Sequence, residues 1–472
     1  MIPELLMMVF QQLPGRTLAR YRPVSTHWHA VLIDEILTKK IEAAATIVWG
    51  EKILSERIKP TSPCYADALL SRVQGEFETE DDLARVTWEE AKKAADAGKN
   101  YLARARRLVT VLEVEMFFAL DGAQITAKKL IILFKILKQD TQFTLYLEFA
   151  KCMAKMNREH GIIQFNEIDR LFNPTANVEM ADAFLKELIV CDPKECEKKL
   201  QIIRDKIPLI LDPRMKMPHF INVAKVEMIF DKKAMKMTLQ QAHEVVPLIQ
   251  NDLERAFFLL LLAELEGEIS LKWACETIKQ AEAIICLLDD KDRVADILGT
   301  KLRIVFKIDK AMAKTCLTEF KNAISETSGD GFNLQHLFYY LTLLEYEPYL
   351  DPSSVKQTLI HFKRLLSAKY RALKDETQIK SVFQDLIIGM VAAEALINGP
   401  RSAKEVARTY GQEIYDLVVP VIVKEELKRH LVENAKATAL TCSNDTHLLL
   451  AIKHIFRFYC PFIKEDKMEG DD

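Results

Sequence analysis

A helix-capping boundary recurs in this chain every 39 residues. It reads "CDPKEC" at Asp192, "FDKKA" at Asp231, "ISLKWA" at Ser270 and "IDKAMA" at Asp309. Each copy places a short oxygen-bearing side chain after an apolar residue. Such a side chain satisfies the free N–H groups of a new helix. The helix that follows soon sets Cys196, Ala234, Ala274 or Ala313 on one face. A companion boundary falls at Asp212 ("DPR"), Asp252 ("NDLER") and Asp290 ("DKDR"), in steps of 40 and 38. Two helices per period of this length predict an α-solenoid. No hairpin of that size hides its apolar face alone, so neighbours must stack. Looser copies stand at Asp140, Asn177, Asn333, Asp351 and Asp375.

The surrounding pattern agrees. Apolar residues recur at helical spacing in "LFKILKQDTQFTLYLEFAKCM" and "SVFQDLIIGMVAAEALI", and little alternates with period two. With only 14 glycines and 16 prolines among 472 residues, tight β-turns and phosphate-cradling loops are disfavoured. The fold class expected is all-α. Tetratricopeptide repeats have a period of about 34 residues and a Trp/Gly/Tyr pattern, so the array is TPR-like in architecture only. The expected organisation is a short N-terminal module over 1–42, a helical stretch over 43–130, the solenoid over 131–462 and an acidic tail over 463–472.

Composition narrows the function. A hydrophobic share of 49% and a charged share of 28% suit a folded core, and a net charge of −3 disfavours general nucleic-acid binding. Nine scattered cysteines without CxxC spacing suggest buried thiols in a reducing, cytoplasmic compartment. The N-terminus lacks the three regions of a secretory signal. The apolar runs Ala256–Ala263 and "DLIIGMVAAEALI", the latter broken by Glu394, are too short to span a bilayer.

Motifs for phosphate, dinucleotide, zinc-protease, serine-hydrolase and EF-hand chemistry are missing, so no catalytic residue, metal or cofactor is expected. His27 and His29 flank Trp28 on different sides of a helix, and His447 and His454 are separated by about 10 Å of helical rise. The acidic "LDDKDR" near Asp290 reads as a solvated turn, and the basic stretch Asn100–Val111 as the polar face of a helix. Phe332, Phe338, Tyr339 and Tyr340 suit core packing better than a binding surface.

The first forty residues differ from the rest. "IPELLMMVFQQLPGRTLARYRPVSTHWHAVL" sets Leu6, Phe10 and Leu13, then Val24, Trp28 and Leu32, at helical spacing. This stretch resembles an F-box, the three-helix motif that attaches substrate receptors to the Skp-type adaptor of cullin–RING ubiquitin ligases. The matching positions are Ile2, Pro3, Glu4, Val9, Phe10, Leu13, Leu18, Val24 and Trp28. Pro3 lies one residue closer to Val9 and Phe10 than the family pattern has it, and Thr17 replaces the usual Asp.

The resemblance implies an adaptor-binding surface made of Ile2, Pro3, Leu6, Val9, Phe10, Leu13, Leu18, Val24, Trp28 and Leu32. A module this small has too little interior to bury them all, and the surplus suits an interface with Trp28 as anchor. It further implies a non-catalytic receptor bound through the adaptor to cullin and RING subunit, its helical repeats holding an unnamed protein substrate. The familiar leucine-rich, WD40 and kelch substrate modules are not evident. That leaves open a bacterial effector delivered to a host cytosol. The residues alone also fit a scaffold unrelated to ubiquitin, its first hairpin merely capping the solenoid.

Overall fold

The computed structural model describes residues 35–459, apart from short stretches at 61, 63, 78–80, 98–99, 119, 138–142, 173–177, 328–333 and 374–379. The fold is all-α and solenoid-like, with twenty-two α-helices and no strand among the described residues. The chain divides into two compact units, residues 1–137 with 394–472, and residues 138–393. The described residues from 394 to 459, read from sequence as the end of a solenoid over 131–462, thus group with the N-terminal part.

The second unit contains α6 (Phe143–Met156), α7 (Arg158–Phe172), α8 (Val178–Cys191), α9 (Pro193–Lys206), α10 (Pro213–Phe230) and α11 (Lys232–Val245). It continues with α12 (Asp252–Glu266), α13 (Leu271–Ile285), α14 (Lys291–Ile308), α15 (Lys310–Glu326), α16 (Leu334–Leu350) and α17 (Val355–Leu373). The long helix α18 (Lys380–Ile397) follows. From α8 onward these form hairpins, α8/α9 to α16/α17, whose first helices pack on one another in a row.

The caps sit where the spacing places them. Asp192 accepts the Glu195 N–H at 3.1 Å, Asp231 that of Ala234 at 3.0 Å, Ser270 that of Trp273 at 3.4 Å and Asp309 that of Met312 at 3.2 Å. In the companion series Asp212 and Asp290 cap α10 and α14, but Asn251, not Asp252, caps α12. Its side-chain oxygen takes the Glu254 N–H at 3.2 Å, and Asp252 becomes the first helical residue. With this correction the companion caps also lie 39 apart. Asp140, Asn177, Asn333 and Asp375 lie outside the described residues.

Packing repeats with the caps. Four residues after each cap comes a buried side chain, Cys196, Met235, Ala274 and Ala313. Ala234, expected on that face, is a residue too early and stays half-buried. Leu200, Leu239, Ile278 and Leu317 are buried one turn later, and Ile203, Ala242, Ala281 and Phe320 follow. Each larger aliphatic or aromatic side chain among them contributes on the order of 1.5–3 kcal/mol by leaving water.

The first unit opens with α1 (Glu35–Arg57), α2 (Tyr65–Phe77), α3 (Asp81–Asp96), α4 (Tyr101–Phe118) and α5 (Leu120–Ile136). It closes with α19 (Pro400–Arg408), α20 (Gln412–Lys428), α21 (Val432–Ala439) and α22 (Asp445–Tyr459). Helix α22 packs on α1 and α2, so the two ends of the described chain share one core. Arg57 donates to the Cys442 carbonyl at 3.1 Å, Ser62 to Asp445 at 3.0 Å, and the Lys436 ammonium lies 5.8 Å from the Trp49 ring centre.

Candidate functional site

Three features of the second unit bear on function: a ladder of polar pairs, each with one buried member, a line of exposed leucines, and a groove. The ladder starts one residue after the last of the buried positions above. There the sequence has Arg204, His243, Glu282 and Lys321, again 39 apart, and each meets a partner on the next helix, a glutamate or, for Glu282, a lysine. Arg204 pairs with Glu227 (Nε to Oε1 3.2 Å) and His243 with Glu266. Glu282 pairs with the buried Lys301 at 2.7 Å, and Lys321 with Glu347 at 2.7 Å. Polarity reverses at the third rung, where Glu319 gives Lys301 a second carboxylate at 2.7 Å.

Glu227, Glu266 and Glu347 are fully buried. Burial pushes the Glu227 carboxyl above its usual range, against the pull of Arg204. The first unit holds two similar pairs, Lys92–Glu115 at 2.8 Å and Lys404–Glu426 at 2.7 Å. These pairs join helices to helices and belong to the scaffold.

The leucines occupy the turns between hairpins. After α9 and α11 the chain makes a 3-10 turn, "IPL" at 207–209 and "VPL" at 246–248. Ile207 and Val246 are buried, whereas Leu209 and Leu248 are 77% and 62% exposed. Ile285 is the buried third copy, and Leu287 is 72% exposed. The repeated Pro-Leu-Ile of two copies was the available sequence signal for this edge.

The groove lies between α14 and α16 and is floored by Phe320 of α15. It has a volume of about 260 Å³. Buried Tyr339 and Tyr346 complete an aromatic floor, with the Phe320 and Tyr339 ring centres 5.9 Å apart and edge-on. Gly299 makes room for this floor, since a Cβ there would stand 3.3 Å from Phe320 Cζ. Asp296 and Arg303 line the α14 side; Gln335, Phe338 and Glu345 line the α16 side. The Tyr339 hydroxyl lies 2.9 Å from Asp296 Oδ1 and 3.1 Å from the Asp292 carbonyl. Burial, then Asp296, pushes its phenol up, and burial pushes that of Tyr346 up to about 12, so both stay protonated donors at neutral pH.

The aromatic cluster noted in the sequence therefore divides. Tyr339 is core and groove floor at once, Phe338 is 38% exposed at the groove wall, and the ring of half-buried Tyr340 lies tilted 5.0 Å from that of His361. Phe332 lies outside the described residues. In the basic stretch, Arg104 pairs with Asp96 at 2.5 Å and Arg107 with Asp67 at 3.3 Å. The adaptor-contact positions Ile2, Pro3, Leu6, Val9, Phe10, Leu13, Leu18, Val24, Trp28 and Leu32 all lie outside the described residues, as do His27 and His29.

Among the described residues no three or more His, Cys, Asp or Glu are grouped to hold a metal ion, and no helix is long and apolar enough to cross a membrane. Fold and groove define the class: a helical-repeat protein with an open, polar-walled groove on its row of stacked helices. Compared with known proteins, the chain matches no family model, no curated protein and no solved structure.

Proposed function

We propose that this chain is a substrate receptor of an SCF-type cullin–RING ubiquitin ligase. Its first 42 residues dock on the Skp-type adaptor, and its helical repeats hold a protein substrate. The observation that carries the protein-binding half is the open groove between α14 and α16, set in an array of capped hairpins. The ubiquitin half is supported by the spaced F-box matches from Ile2 to Trp28. The receptor supplies no reacting group. It raises the effective concentration of substrate lysines near the ubiquitin-loaded E2, in a cytoplasm that is its own or that of a host.

A second reading, a helical scaffold unconnected with ubiquitin, is favoured by α1. That helix directly follows the F-box-like stretch and is built into the core of the first unit through α22. Calorimetric titration of the purified chain with a eukaryotic Skp-type adaptor separates the two. Saturable binding, weakened by both Leu13→Asp and Trp28→Ala in variants that keep their circular dichroism, supports the receptor. A folded chain that binds no adaptor overturns it and leaves the scaffold.

A further inference from the structure

The groove between α14 and α16 has a carboxylate, Asp296, at one end and a guanidinium, Arg303, at the other, with rings between them and a second carboxylate, Glu345, on its α16 wall. At one end Asp296 is fixed in place: its Oδ1 accepts from Gln335 Nε2 at 2.8 Å and lies within reach of the Tyr339 hydroxyl. Its Oδ2 takes no hydrogen bond from any described residue. At the other end stands Arg303, exposed and without an ion pair among the described residues. Glu345, the other acidic residue lining the groove, hydrogen-bonds with Tyr346, and the nearby Glu264 is paired with Lys307 at 2.6 Å, so Arg303 makes no ion pair with either. Seven residues separate Asp296 from Arg303 on one helix, about two turns or ~10 Å of rise.

This layout selects among ligands. A phosphate backbone meets two carboxylates, Asp296 and Glu345. A lone cation meets Arg303. A molecule with a cation and an anion about 10 Å apart and an apolar group between them satisfies both ends and covers the rings. An extended peptide in the polyproline II form has that shape: three residues per turn and a rise of about 3.1 Å put side chains three positions apart on one face, about 9 Å from each other.

Resting on the proposed protein-binding role of the repeats, we infer that this groove binds an extended peptide whose basic and acidic residues stand three positions apart around an apolar one. Asp296 takes the basic side chain in a charge-assisted hydrogen bond, and Arg303 takes the carboxylate as a two-pronged donor. Phe338, exposed at the groove wall, and Tyr346 receive the apolar residue.

The test uses the full chain and four fluorescein-labelled, end-blocked peptides followed by fluorescence anisotropy. They are Ser-Lys-Leu-Pro-Glu-Ser, its charge-reversed order Ser-Glu-Leu-Pro-Lys-Ser, and versions with Lys or with Gln at both charged positions. One of the two mixed-charge orders is expected to bind at least about tenfold more tightly than the double-Gln peptide, with affinity falling as salt rises. Arg303→Glu, at an exposed position without a partner, is expected to cost that peptide about tenfold or more and to make the double-Lys peptide the best ligand. Equal binding of all four peptides overturns the inference, as does an unchanged ranking in Arg303→Glu. Adaptor titration of the same preparations stands apart from this result, so an idle groove beside intact adaptor binding refutes the groove alone.

Discussion

Arg204→Ala removes the partner of a carboxylate that has no solvent to turn to. Glu227 is 0% exposed, while Arg204 keeps 29% of its side chain in water. That asymmetry sets the energies. Without the guanidinium, Glu227 is a buried, uncompensated charge or must take up a proton, and breaking a buried pair from that side costs about 3–5 kcal/mol. The reverse change, Glu227→Gln, leaves a half-exposed guanidinium that water can solvate and an amide of the same shape. Its cost is about 1–2 kcal/mol. Replacing both residues with Met removes both charges and their desolvation together, and recovers most of the loss.

In a repeat array stability is a sum of neighbouring interfaces, so the effect concentrates at α9 and α10. Native-state hydrogen exchange of the α10 amides therefore reads it better than a global melting curve. Exchange that is limited by opening accelerates about a hundredfold to a few thousandfold in Arg204→Ala, and tenfold or a little more in Glu227→Gln. Equal losses in the two single variants, or less than about 1 kcal/mol for Arg204→Ala, would refute the view that burial rather than pairing dominates this rung.

Two further outcomes follow from the first unit. Asp416 is buried, and although burial alone raises its pKa, hydrogen bonds from Ser443 and Gln412 hold the carboxyl below its ordinary value of 3.8. A depressed carboxyl contributes stability above its unfolded pKa and loses it as pH falls through the folded one. Circular dichroism followed from pH 6 downward should show Asp416→Asn with a flatter acid limb than the wild-type chain; identical slopes would remove Asp416 from the account. Deletion of residues 432–472 strips α1 and α2 of α22. Hydrogen exchange should then find residues 35–77 unprotected and residues 178–326 still protected, and retained protection in α1 would contradict the shared core.

Much of the repeat is legible in the sequence, because helix caps are local events. An Asp, Asn or Ser oxygen reaches an N–H two or three residues ahead whatever the rest of the chain does. Asp192, Asp231, Ser270 and Asp309 could therefore be found by spacing alone. At the cap of α12, Asp252 and Asn251 are adjacent side chains both able to cap, and Asn251 does so. The ladder was not legible. Its members, Arg204, His243, Glu282 and Lys321, differ in size and sign, and their partners shift between turns of the facing helix. Complementarity across a helix pair leaves no residue type to match along the chain.

What the sequence determined by itself was therefore the all-α class, the main hairpin boundaries and, through Cys196, Ala274 and Ala313, the buried face of three repeat helices, since these depend on caps and on a 3.6-residue period. It also supplied the F-box resemblance, which rests on residues 1–42. Tertiary structure decided which charges meet, that helices of residues 400–459 join the N-terminal helices, and that Asp296, Arg303, Phe338 and Tyr339 line one groove. Those juxtapositions arise between segments distant along the chain or on facing helices. They depend on how surfaces pack, and no local rule carries that information.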